Sequence, residues 1–148
     1  MNNEDESKTY RDSHKKPGYG IEYDAIYRSG YYGAQWVYVE RPLVRSIFSR
    51  LLRKDDRCLD FACGTGRLTK VACEFSDHVT GVDVSPAMLK ANSCSDATLH
   101  CHDITQTPLG ETFDVVISFR FFLNAEERLR HDALGAIYRH HRSGGVLI

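Results

Sequence analysis

The sequence predicts an α/β fold, a mainly parallel sheet with helices on both faces. Three observations predict it. From about residue 55 onward, short apolar runs alternate with segments of helical periodicity. The first apolar run empties into a small-residue turn, ACGTG, at 62–66. An acid also stands at the end of each of the first three runs: Asp60, Asp83 and Asp103. Such alternation builds βαβ units joined by right-handed crossovers.

The elements follow in order. Residues 1–20 mix charges with Asn, Ser, Lys and Gly without periodicity and are expected to be a loosely held tail. Residues 21–54 form an N-terminal helical segment rich in aromatics, with Tyr23, Tyr27, Tyr31, Tyr32, Trp36 and Tyr38. Within it, Leu43, Val44, Ile47, Phe48, Leu51 and Leu52 recur at helical spacing, with Pro42 acceptable in the first turn. Residues 55–148 carry the sheet. RCLDF is the first strand, and RLTKVACEF a helix with Leu68, Val71, Ala72 and Phe75 inward. HVTGVDV is the second strand, and Ser85 then caps a helix with Pro86 at its first position. ATLHCHDI and FDVVISF are the third and fourth strands. NAEERLRHDALGAIYRHH is a helix with Leu129, Ala133, Leu134, Ala136 and Ile137 inward, and GGVLI opens a fifth strand.

The bulk numbers exclude several classes. A chain of 148 residues is the size of one domain. Nineteen basic and twenty acidic residues leave a net charge of −1, so no strong field recruits nucleic acid or an anionic membrane. The apolar run DVVISFRFFL is interrupted by Ser118 and Arg120 and falls far short of the ~20 residues of a membrane span. The N-terminus has no apolar signal-peptide core, which points to the cytoplasm. Five cysteines, an odd number without disulfide-scaffold spacing, read as reduced thiols. His100 and His102 share a strand face and His140 and His141 are adjacent, yet no third and fourth ligand complete a zinc spacing, so no metal is expected.

In an open parallel sheet, ligands bind beyond the carboxyl ends of the strands. Gly64 and Gly66 remove side chains where backbone N–H groups and a helix start can approach a ligand. Asp83 ends the second strand, where a carboxylate suits two adjacent ribose hydroxyls. Each acid alone is equally a turn or cap residue; their recurrence at successive strand ends is the signal. A nicotinamide or flavin dinucleotide needs G-x-G-x-x-G, whereas Thr69 stands at the third glycine here.

The stretches LDFACGTGRLT, VTGVDVSPAMLKAN, HDI and FDVVISFRFFLN, in this order, resemble the class I S-adenosylmethionine-dependent methyltransferases of the small-molecule type. The resemblance covers 58–148, and Ala62 stands where that family most often has its first glycine. It implies a Rossmann-like sheet of order 3-2-1-4-5 and S-adenosyl-L-methionine as cofactor. It further implies that Asp60, Ala62, Gly64 and Gly66 line the methionine part, with Asp60 near its amino group. Asp83 would bind the ribose, Val84 and Met88 would pack on adenine, and Asp103 and the Ile104 N–H would meet its edge. Ser118, Phe119 and Arg120 would close the site and face a small-molecule acceptor. Because a sulfonium already activates the methyl group, transfer depends chiefly on alignment, and no catalytic residue is assigned. Tyr23, Tyr27 and Arg120 are the side chains to inspect first. Members of the family continue past the fifth strand with another helix and two strands, so an incomplete core, weak or inactive, is expected. A non-catalytic cofactor-binding protein and a nicotinamide-dependent oxidoreductase remain the alternatives.

Overall fold

The structure, a computed structural model, describes residues 10–11 and 17–148. The tail expected over 1–20 thus falls largely outside the described residues. Five strands form one sheet: β1 (Arg57–Phe61), β2 (His78–Asp83), β3 (Thr98–Cys101), β4 (Phe113–Ile117) and β5 (His141–Leu147). Their order is β3-β2-β1-β4-β5, with every pairing parallel, as expected.

Parallel strands covered on both faces must be apolar on both faces. Leu59, Phe61 and Val116 pack with Leu129, Ala133, Ala136 and Ile137 of the helix Glu127–His140. On the opposite face, Cys58, Val115 and Ile117 pack with Val44, Phe48 and Leu52 and with Leu68, Val71 and Ala72. Those residues come from the helix Arg41–Leu51 with its following residue and from the helix Arg67–Ala72. Ahead of them, the helices Tyr19–Arg28 and Gly30–Gln35 and a π-helical turn, Trp36–Glu40, carry the aromatic segment. In the helix Pro86–Ala91, Ser85 caps as expected, its side chain accepting from the Met88 N–H at 3.3 Å.

Several expected details differ. Leu43 and Leu51 are 59 % and 41 % exposed, because the helix Arg41–Leu51 meets the core along one narrow line, Val44, Phe48 and Leu52. Leu134 is 47 % exposed, one position off the line that buries Ala133 and Ile137. The helix that carries it begins at Glu127, since Phe121–Asn124 forms a separate turn ended by extended backbone at Ala125. β3 stops at Cys101, where the Asp103 carboxylate takes the Thr105 N–H at 3.0 Å and turns the chain. β4 ends two residues earlier than expected, and β5 begins at His141. The five cysteines are free. His102 contacts the Thr107 carbonyl and buried His140 the Ala136 carbonyl, and no three His, Cys, Asp or Glu among the described residues cluster to hold a metal. No helix among them is long and apolar enough to cross a membrane.

This packing fixes an expected contrast. Ile137→Ala opens a cavity and should cost ~2–5 kcal/mol, whereas Leu134→Ala should stay within about 0.5 kcal/mol. Urea unfolding midpoints check it; equal losses would mean that the helix face has been misread.

Candidate active site at the carboxyl ends of the strands

β1 delivers Asp60, 2 % exposed, to the sheet's carboxyl edge, where the Thr69 hydroxyl donates to its Oδ2 at 2.6 Å. Burial pushes the Asp60 carboxyl up to about 7; the Thr69 bond opposes the rise and the Asp83 charge adds to it. The residue that breaks the dinucleotide fingerprint therefore braces the first acid.

The loop after β1 enters left-handed backbone at Ala62 (φ 57°), Gly64 (φ 54°) and Gly66 (φ 82°). Glycine adopts this at little cost, but Ala62 is strained there. Asp83, at the end of β2, holds the loop: its Oδ2 accepts the Gly64 N–H and its Oδ1 the Ser85 N–H, both at 2.8 Å. Gly66 has a packing reason, since a Cβ there would stand 2.2 Å from Asn92 Oδ1. Asn92 in turn donates to the Gly64 carbonyl at 3.4 Å.

A cavity of about 540 Å³ opens over these strand ends. Asp60, Ala62, Gly64, Asp83, Val84, Met88, Asp103, Ile104 and Phe119 all line it. Gly66 and Ser118 do not; Gly66 begins the helix behind the loop, and Ser118 lines a neighbouring cavity.

The aromatic segment forms the opposite wall with Tyr19, Tyr23, Tyr27 and Tyr32. Two arginines are set in it. Arg120, itself at φ 62°, donates to the Tyr27 hydroxyl at 2.5 Å and pairs with Glu40. Arg67 donates to the Tyr23 hydroxyl at 3.2 Å, and its guanidinium lies 3.5 Å from the Tyr27 ring centre and 5.1 Å from that of Trp36. Its buried Nη1 has no hydrogen-bond partner. Burial pushes the Tyr23 hydroxyl up to about 12, so it serves as a donor at neutral pH and not as a base. A third arginine, Arg11, bridges to Asp103 at 3.0 Å, and Tyr10 packs edge-on against Phe121 at 5.5 Å.

Sequence reasoning missed Arg67, Arg11, Tyr10 and Glu40. Arg67 directly follows the GTG turn, a position that a helix start after a ligand loop makes worth inspecting. The others reach the site across 80 to 116 residues, and no local pattern marks them.

Comparison with known proteins identifies the family and the fold. A 27 % identical stretch of 124 residues matches a malonyl-[acyl-carrier protein] O-methyltransferase of Bacillus cereus, covering 74 % of this chain and 44 % of that protein. A dTDP-4-amino-2,3,4,6-tetradeoxy-D-glucose N,N-dimethyltransferase of Saccharopolyspora spinosa is 30 % identical over 138 residues, covering 89 % of this chain and 53 % of that protein. The chain thus spans about half the length of these curated relatives. Among solved structures, the DhpI–SAH complex shares the fold, with a TM-score of 0.71 at 18 % identity over 86 % of this chain and 61 % of that one. Residues 59–148 match the methyltransferase domain family, and with more than half its length in that match the chain belongs to it.

Proposed function

We propose that this chain binds S-adenosyl-L-methionine in the strand-end cavity and is the cofactor-binding part of a methyltransferase acting on a small-molecule acceptor. The observation that carries the reading is convergence: three strand-end acids, a loop of small residues and one arginine with an unsatisfied nitrogen face a single cavity. These groups fit the ligand. The buried, partnerless Nη1 of Arg67 suits a carboxylate, Asp60 an ammonium, and Asp83 a ribose diol, since each carboxylate oxygen accepts more than one hydrogen bond. Val84, Met88 and Ile104 offer apolar contact to a flat base, with Asp103 at its amino edge. Gly66 supports the loop from behind, and Ser118, Phe119 and Arg120 face the acceptor. When bound, the ligand supplies a methyl group already activated by sulfonium charge.

The protein's own part is to hold and to dry the site. Residues 55–148 form the binding core and residues 21–54 its cap, with Tyr23, Tyr27 and Tyr32 over the cavity. Removing water strengthens every charge interaction beneath that cap. The nicotinamide alternative is less favoured, because the third-glycine position holds Thr69 in a bond to Asp60. Five free cysteines agree with a cytoplasmic location.

Two outcomes test the reading. S-adenosylhomocysteine should bind by calorimetry, and Asp83→Ala should weaken it by ~1.5–3 kcal/mol, the scale of hydrogen bonds to a charged group. Greater thermal stabilisation by NAD than by S-adenosylhomocysteine would reverse the assignment.

The second outcome concerns pH. An ammonium needs Asp60 ionised, yet burial holds its pKa at about 7. Binding should therefore expel a proton near pH 6.5, and affinity should rise roughly tenfold from pH 6 to 8. For the stability of the free protein the sign is opposite. Folded Asp60 keeps its proton up to about pH 7, whereas the unfolded chain loses it near pH 4, so this group's contribution falls as pH rises between the two. Calorimetry in buffers of different ionisation enthalpy reads the proton directly. Asp60→Asn should abolish the release; a release unchanged in that variant would exclude Asp60 as its source.

A further inference from the structure

A second cavity, of about 600 Å³, adjoins the first. Phe119, Arg120 and Asn124 line both, so the two meet at the end of β4. Its remaining wall is Gln35, Glu40, Ser118, Phe122 and Leu123. Two buried polar atoms in that wall lack hydrogen-bond partners, Glu40 Oε2 and Ser118 Oγ.

The Glu40 carboxylate is loaded on one side only. Arg120 Nη2 and Gln35 Nε2, the latter at 3.0 Å, both donate to Oε1, while Oε2 receives nothing. A buried acceptor left without a donor costs free energy that a ligand's N–H or O–H recovers. Arg120 is held by Glu40 and by the Tyr27 hydroxyl, so the carboxylate is fixed in place beside the first cavity.

We propose that this second cavity is the acceptor subsite and that it takes a primary or secondary amine, with Glu40 Oε2 accepting its N–H and Ser118 Oγ completing the contact. The proposal rests on the cofactor reading above and names its substrate class. The chemistry of the lining selects among nucleophiles. An alcohol must lose its proton in order to attack, yet the wall contains no His, Lys, Cys or Tyr, and its one carboxylate is committed to an arginine. A carboxylate or a thiolate would bring negative charge against the unsatisfied Oε2. A neutral amine needs no base and supplies the missing donor. Its nitrogen lone pair forms the N–C bond as the C–S bond breaks and sulfur keeps that electron pair. The positive charge passes to nitrogen, and the product leaves as an ammonium that gives up its extra proton in bulk water. Phe119, Phe122 and Leu123 give the rest of the acceptor an apolar seat.

The test uses three probes of one shape, benzylamine, benzyl alcohol and benzoate, on this chain. Calorimetry first establishes S-adenosylhomocysteine binding; failure there overturns the cofactor reading itself. With that ligand saturating, benzylamine should bind at least tenfold more tightly than either analogue, and more tightly as pH rises toward its own pKa. Glu40→Gln should remove the preference, measured at an S-adenosylhomocysteine concentration that saturates the variant. With labelled S-adenosylmethionine, any methyl transferred should appear on nitrogen. Tighter binding of benzoate or benzyl alcohol, no benzylamine binding to the saturated protein, or an amine preference that survives Glu40→Gln would overturn the amine subsite and leave the cofactor reading intact.

Discussion

The carboxylate of Asp83 takes one backbone N–H from the loop after β1 and one from the loop after β2, each at 2.8 Å. That pair of charge-assisted bonds ties two neighbouring strand ends together, and the shape of the cavity follows from it. Parallel pairing of β1 with β2 puts Asp60 beside Gly81, so Asp83 projects just beyond the first strand's last residues. The loop passes through left-handed backbone at Ala62, Gly64 and Gly66, and the strain at Ala62 persists because its surroundings hold it. With the loop held, Asp60 stays beneath it on Thr69, out of water, with its carboxyl raised toward neutrality.

The opposite wall solves a different problem. Three arginines face the same cavity, and bringing them together unpaired would be costly. Arg11 lies against Asp103 and Arg120 against Glu40, while Arg67 is held by tyrosine and tryptophan rings and one hydroxyl. Aromatic faces steady that cation without neutralising it. Positive charge from these arginines and negative charge from the strand-end acids thus line one space, suited to a ligand that carries both signs.

Much of this was legible locally. The parallel sheet, its order, the Ser85 cap and the strand-end acids follow from alternation, capping chemistry and the family pattern. What was not legible depends on distance or on fine register. Leu134 and Ile137 are both apolar at helical spacing, and only the position of the sheet shows which one it buries. Gly66 reads as a ligand contact until Asn92 is found against it. Thr69 reads as a defect in one fingerprint until its hydroxyl is found on Asp60. Glu40 lies 80 residues from Arg120, and periodicity does not report such a pair.

A crystal structure with S-adenosylhomocysteine tests the central claim most directly. The account predicts density in the strand-end cavity, with the ribose on Asp83, the base between Met88 and Ile104, and the amino-acid end between Asp60 and Arg67. Density in another place, or a cavity without it in crystals grown with saturating ligand, would contradict the account.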